Sequence, residues 1–235
     1  PIKTASGTRQ VKMHHIHLEE DAGKSIHDIY PDETCVDLNR AGTPLVEIVS
    51  EPDMFSADEA WNYVQEIRRL VRWIGVSDAN MEEGSLRCDA NVSIRLAGDP
   101  NLGTRVEVKN LNSTRNIKRA IDFEIERMIE LVESGGTVKQ QTRSFDANDG
   151  TTFAIRDKEE ANDYRYFPEP DLPPIHLTEA FISQIKAAMP ALPLELTEKY
   201  QQQYGLSEYD SEQLVSEKEI AAYFEQVIQY TDNHK

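Results

Sequence analysis

Leu86-Arg87-Cys88-Asp89-Ala90-Asn91-Val92-Ser93-Ile94-Arg95-Leu96 alternates strictly. Leu86, Cys88, Ala90, Val92, Ile94 and Leu96 fall on one face; Arg87, Asp89, Asn91, Ser93 and Arg95 fall on the other. A period of two over this length predicts a strand with one buried and one polar face. Arg105-Val106-Glu107-Val108-Lys109-Asn110-Leu111-Asn112-Ser113 alternates in the same way and sends Arg105, Glu107 and Lys109 to one side. The segment between, Ala97-Gly98-Asp99-Pro100-Asn101-Leu102-Gly103, is rich in turn residues. The two stretches read as a hairpin whose polar faces coincide, so guanidinium, carboxylate, carboxamide and ammonium groups share one surface. That surface is the candidate site.

Helices flank the hairpin. Ser56 with Glu59 forms a capping box that opens a helix, and Ala57, Ala60, Trp61, Val64, Ile67, Val71 and Ile74 make its apolar stripe up to Gly75. Asn112 or Ser113 caps a second long helix, with Ile117, Ala120, Ile121, Ile125, Met128 and Val132 inward and Gly135-Gly136 as its stop. Gln140–Phe145 and Thr151–Arg156 predict another hairpin around Asp146–Gly150. Upstream, Val11–Asp21 reads as a strand ending in acidic residues, and Cys35–Leu38 and Leu45–Ser50 as short strands around the turn Asn39–Pro44. Ala22-Gly23-Lys24-Ser25 resembles a phosphate loop only superficially, because Leu18 stands where the first glycine is required. The stretch 157–174 has no periodicity and too many prolines for helix or central strand. From Thr178 onward the pattern is helical, over about 178–189, 193–203 and 216–230, the last with Ser216 and Glu219 as a capping box. The predicted class is α+β, a mainly antiparallel sheet with packed helices followed by a helical segment, with domains at 1–175 and 176–235.

The 235 residues carry 42 acidic against 25 basic side chains, a net charge of −17. That balance argues against a dedicated nucleic-acid-binding domain but leaves room for a local contact. No apolar run approaches the roughly 18–20 residues of a membrane span. The two cysteines, Cys35 and Cys88, match no metal spacing and suit a reducing compartment.

Glu19, Glu20, Glu47, Glu51, Asp89 and Glu107 all lie on or at the ends of predicted strands. Crowded carboxylates raise one another's pKa unless something positive sits among them. Arg87, Arg105 and Lys109 are one source of that charge, and a divalent cation is another. Hard oxygen donors without thiolates suit Mg²⁺, which commonly shares phosphate oxygens with a nucleotide. The plainer reading is a solvated sheet face with cross-strand ion pairs. His14, His15 and His17 put only two imidazoles on one face, too few for zinc without a third fixed partner.

Five stretches in one order carry a resemblance: Leu18–Ser25, Asp37–Asp53, Glu82–Ser93, Val108–Ser113 and Asp163–Asp171. They resemble the B subunit of the aspartyl/glutamyl-tRNA(Asn/Gln) amidotransferase, the GatB family. The resemblance implies a cradle-like catalytic domain that uses Mg²⁺ and ATP to phosphorylate the side-chain carboxylate of Glu-tRNA(Gln) or Asp-tRNA(Asn). Ammonia from a partner amidase (A) subunit then displaces the phosphate, and a small C subunit braces the pair; the setting is cytoplasmic or organellar, with no membrane. It further implies Glu20 and Glu107 as metal ligands, with Arg87, Asp89, Asn91 and Lys109 lining the same pocket or the ammonia path. Glu19 and Glu20 exchange faces under a one-residue register shift. Relative to the family, a preceding strand-bearing segment and a tRNA-gripping tail are absent from these residues. The expectation is therefore an internal piece of the subunit, inert by itself. Two other readings stay open: an assembly and ammonia-channel module without catalysis, and an unrelated Mg²⁺-dependent phosphohydrolase.

Overall fold

A computed structural model describes residues 1–157 and 173–231; the aromatic, proline-rich Asp163–Asp171 stretch lies outside the described residues. The chain divides into two compact units, Pro1–Phe55 and Ser56–Lys235.

The first unit is built of three separate antiparallel ribbons. β1 (Ile2–Thr4) pairs with β2 (Gly7–Arg9), β3 (Met13–Glu20) with β6 (Pro44–Ser50), and β4 (Lys24–Ile26) with β5 (Cys35–Asp37). The strands expected around the turn at 39–44 are present, but each pairs with an upstream strand and not with the other. The turn is held by Asp21, whose backbone N–H donates to Thr43 O at 2.8 Å and whose carboxylate accepts from Arg40 Nε at 2.8 Å. Lys24 and Ser25 lie in a strand, and no helix follows Gly23, so the phosphate-loop geometry is not formed. Residues 1–10 contain the β1–β2 hairpin.

The second unit begins with α1 (Ala57–Trp73), whose Ser56 cap accepts from Glu59 N at 3.2 Å. Then come β7 (Ala90–Val92), β8 (Val106–Lys109), α2 (Thr114–Glu133), β9 (Gln141–Asp146) and β10 (Thr151–Asp157). The sheet order is β10-β9-β8-β7. Both expected hairpins form, β7–β8 and β9–β10, each antiparallel. They are joined by a parallel pair, β8 beside β9, with α2 as the crossover. The sheet is therefore mixed within an α+β fold, because only a crossover of this length lets two successive strands run parallel. β7 keeps three residues of the long alternation as ladder. The alternation itself holds further: Leu86, Cys88, Ala90 and Ile94 pack on the core, while Leu96 is exposed. A Cβ on Gly103 would meet Ile94 O at 2.0 Å, so the strand connection closes on a position that tolerates no side chain.

Val92, Val106, Val108 and Phe145 of the sheet bury against Ala57 and Val64 of α1 and Ile117, Ala120, Ile121 and Met128 of α2. At roughly 1.5–3 kcal/mol for each large apolar side chain, this layer supplies the main stabilisation of the site's scaffold. Beneath it lies the fully buried Glu124, bonded to Arg127 (Nη2–Oε2 2.7 Å), Arg143 (Nε–Oε1 3.0 Å) and the Thr152 hydroxyl.

Four helices follow: α3 (Glu179–Ala188), α4 (Pro193–Tyr204), α5 (Glu208–Leu214) and α6 (Lys218–Val227). Trp73, Tyr200, Leu206, Val215 and Ala221 form their core. Trp73, not Ile74, is the buried end of α1, and its indole N–H donates to Ala191 O at 2.9 Å. The expected Ser216 cap is not formed. α5 ends at Leu214, the Ser216 hydroxyl donates back to Gln213 O at 2.7 Å, and α6 starts after Glu217.

Candidate functional site

The β7–β8 ladder puts Asn91 directly across from Glu107, and Ala90 across from Val108. Alternation then turns Val106 and Val108 into the core and Glu107 and Lys109 to the opposite face. The ammonium of Lys109 reaches Asp89 Oδ2 at 2.5 Å and lies 3.4 Å from Glu107 Oε1. On the other side of β8, the register pairs Glu107 with Thr142 of β9, whose hydroxyl donates to Glu107 Oε2 at 3.0 Å. Four of the six residues singled out from the sequence, Asp89, Asn91, Glu107 and Lys109, thus meet on one face. Thr142 joins them through a parallel contact across 35 positions of sequence, and no sequence signal links it to Glu107.

Lys109 is more basic than an ordinary lysine. Burial works against its charge, but the Asp89 hydrogen bond and the charges of Asp89 and Glu107 outweigh it. Cys88 points the other way, toward the core. Burial, and then the charge of Asp89 next to it, push its thiol up to about 12. That keeps it protonated at ordinary pH and makes it a weak nucleophile.

Arg87 sits at an open cleft of about 210 Å³, lined also by Cys88, Asp89, Asn110, Leu111 and Asn112. Asn110 ends β8 in the left-handed conformation (φ 66°) and donates from its side chain to Phe145 O at 3.0 Å. That turn carries the chain from Lys109 to the Ser113 cap of α2.

Glu20 belongs to the first unit, at the end of β3 opposite Pro44. The register places Ile16 with Ile48 and Leu18 with Val46 on Glu20's face, whereas His15, His17 and Glu19 share the face of Glu47 and Val49. His15 lies 3.9 Å from Glu47 and His17 3.9 Å from Glu19.

A family model described as the GatB/GatE catalytic domain matches residues 1–183. The chain belongs to the GatB/GatE catalytic-domain family. It is 56% identical over 228 residues to a protein of Pseudomonas entomophila that bears the name of the B subunit of aspartyl/glutamyl-tRNA(Asn/Gln) amidotransferase, covering 97% of this chain and 47% of that one. Over all 235 residues it is 54% identical to the proteins of the same name from Pseudomonas savastanoi pv. phaseolicola and Pseudomonas fluorescens, covering 49% of each. The chain spans about half the length of the curated relatives it matches.

Within this GatB/GatE domain, no group of three or more His, Cys, Asp or Glu side chains gathers to hold a metal among the described residues. The β7–β8 face offers two carboxylates and a carboxamide, all hard oxygen donors. That set suits the mode in which Mg²⁺ is held by one or two carboxylates and completes its shell with water and phosphate. No helix among the described residues is long and apolar enough to cross a membrane.

Proposed function

We propose that this chain is part of the machinery that activates a tRNA-borne carboxylate for amidation. In this reading the substrate is Glu-tRNA(Gln) or Asp-tRNA(Asn), and a carboxylate oxygen of its side chain attacks the γ-phosphorus of ATP. ADP leaves, and the resulting acyl phosphate is open to ammonia, which forms the C–N bond as phosphate departs. A free carboxylate is a poor acyl donor, and phosphorylation converts its oxygen into a leaving group. The ammonia comes from a partner amidase subunit acting on glutamine, with a small third subunit bracing the pair, in the cytoplasm.

The observation that carries the reading is Lys109 set between Asp89 and Glu107 on strands that fall inside the family match. Asp89 keeps the ammonium charged and in place; Lys109, with Arg87 at the neighbouring cleft, would neutralise charge on a phosphoryl group in transfer. Glu107 is the carboxylate of this face that would hold magnesium. When bound, the ion would draw charge from phosphate oxygens. Asn91, across from Glu107, would orient substrate through its amide.

The test is Glu107→Gln in the complete multi-subunit enzyme. ATP-dependent activation of misacylated tRNA should fall by roughly 100-fold or more, as removal of a charge-stabilising group at a transfer site does. Glutamine hydrolysis should persist at least in part. A second reading, a non-catalytic assembly or ammonia-conduit module, draws on the exposed apolar face of the β3–β6 ribbon, where Leu18 is 78% exposed. Under it, Glu107→Gln would leave activation intact, and that result would overturn the first reading.

A further inference from the structure

We propose that Phe153 is a stacking platform for the unpaired 3′-terminal nucleoside of the aminoacylated tRNA. The inference rests on the substrate class proposed above and deepens it by placing that substrate on the sheet. Thr152 pairs with the buried Phe145 and turns inward to Glu124. Alternation therefore turns Phe153 to the opposite face, the open one that carries Lys109. There its ring is 54% exposed, on a strand at the edge of the sheet.

The register sets what stands beside it. Phe153 is across from Ser144, Ser144 is across from Lys109, and the Lys109 ammonium meets Asp89. One row across the sheet thus runs aromatic ring, hydroxyl, ammonium, carboxylate. With neighbouring strands about 4.8 Å apart, Phe153 stands about 10 Å from Lys109 along that row. An aminoacyl nucleoside runs in the same sense: flat base, ribose hydroxyls, then the ester with its charged groups. A base stacked on Phe153 puts the ribose over the Ser144 hydroxyl, which can donate and accept, and sends the ester toward the polar β7–β8 face. A chain of net charge −17 gains little from phosphate contacts, so a π-face is the recognition it can offer a nucleic acid. Unpaired RNA ends present their bases to exposed aromatics of this kind on open sheet faces. ATP carries the same base chemistry, but Phe153 lies on an open face and not in the cleft at Arg87. That setting favours a polymer end laid along a surface over a small nucleotide, which a cleft would enclose.

The experiment compares Phe153→Leu and Phe153→Trp with wild type in the complete amidotransferase. The probe is a glutamyl-adenosine whose 3′-ester is replaced by a non-hydrolysable amide. Its inhibition constant against misacylated tRNA is read beside the KM values for that tRNA and for ATP and the thermal midpoint. Phe153→Leu, which keeps apolar bulk and loses the π-face, should raise the inhibition constant and the KM for tRNA by about 10-fold or more. The KM for ATP and the thermal midpoint should stay as in wild type. Phe153→Trp, which keeps a π-face, should hold every value near wild type. A rise in the KM for ATP alone would assign the stacked base to the nucleotide and overturn the proposal. Equal losses in the leucine and tryptophan variants, in step with the thermal midpoint, would make Phe153 a packing residue only. If the analogue competes in wild type and Phe153→Leu leaves it unchanged, this inference fails and the substrate class stands. If the analogue does not compete in wild type, the substrate class fails and takes this inference with it.

Discussion

Lys109 and Asp89 face each other across two neighbouring strands, with Nζ 2.5 Å from Oδ2, while Glu107 Oε1 stands 3.4 Å from the same ammonium. One cation is thus shared by two carboxylates on the face of the β7–β8 pair. The arrangement gives both carboxylates of this face a positive partner.

The pair sets a pH dependence whose sign follows from the direction of the lysine shift. The folded-state pKa of Lys109 is raised, so its contribution is fully present below the ordinary lysine value and is lost as pH rises through the folded value. Neutral-pH stability should therefore be insensitive to small pH changes at this site. The chain should lose denaturant resistance above about pH 10.5, and Lys109→Met should remove that part of the loss. Because Lys109 is 41% exposed, screening limits the effect to about 1 kcal/mol or less. Urea midpoints for both proteins between about pH 8 and 11 test it; the same slope in both would refute the assignment.

Cys88 should be a slow thiol. Its ionisation is pushed up to about 12, so little thiolate is present at ordinary pH. Alkylation by iodoacetamide in the folded chain at about pH 9 should be at least about tenfold slower than for a free cysteine derivative, and denaturant should erase the difference. Mass spectrometry of the peptide that carries Cys88 gives the rate. The same shift means that the protonated thiol stabilises the fold below the ordinary thiol value of 9.0 and that this contribution fades as pH climbs from there toward about 12.

Glu124 should be among the costliest single changes. It is fully buried and compensates two guanidinium groups, those of Arg127 and Arg143. Burial, followed by repulsion from Arg127, already lowers the Arg143 pKa, and Glu124 opposes that drop. Glu124→Ala would leave buried positive charge uncompensated and should cost about 3–5 kcal/mol in urea unfolding. Restoring stability by adding Arg143→Met to the alanine variant would show that the unpaired charge, and not lost packing alone, is responsible.

Asn110 tests the turn that delivers Lys109. Its left-handed φ of 66° suits Asn or Gly, and its side chain ties β8 to Phe145 O. Asn110→Gly should lose only the hydrogen bond, about 1 kcal/mol. Asn110→Ala adds left-handed strain of roughly 1–2 kcal/mol to the same loss. An alanine variant as stable as the glycine one in thermal or urea unfolding would contradict that account.

The two-residue period from Leu86 to Ile94 and from Val106 to Lys109 is legible because side-chain alternation is a local property of an extended chain. It is enough to pair the strands and to gather Asp89, Asn91, Glu107 and Lys109. The caps at Ser56 and Ser113 are legible for the same reason, since a cap bonds only three residues ahead. Leu96 and Ser216 show where a local pattern outlasts its tertiary support. Leu96 lies beyond the three-residue ladder, and Ser216 lies beyond a helix, α5, too short to leave a periodic signal.

The sequence by itself determined the two long helices, the two hairpins that flank α2, the polar face and the family motifs, all of which are written in the spacing of near neighbours. Only the tertiary structure decided that β9 lies parallel beside β8, that Trp73 rather than Ile74 enters the helical core, and that Thr142 holds Glu107. Those outcomes depend on which surfaces are buried together after α2 carries the chain back. Strand partnership across such a crossover is selected by packing of the whole layer, and no residue announces it in advance.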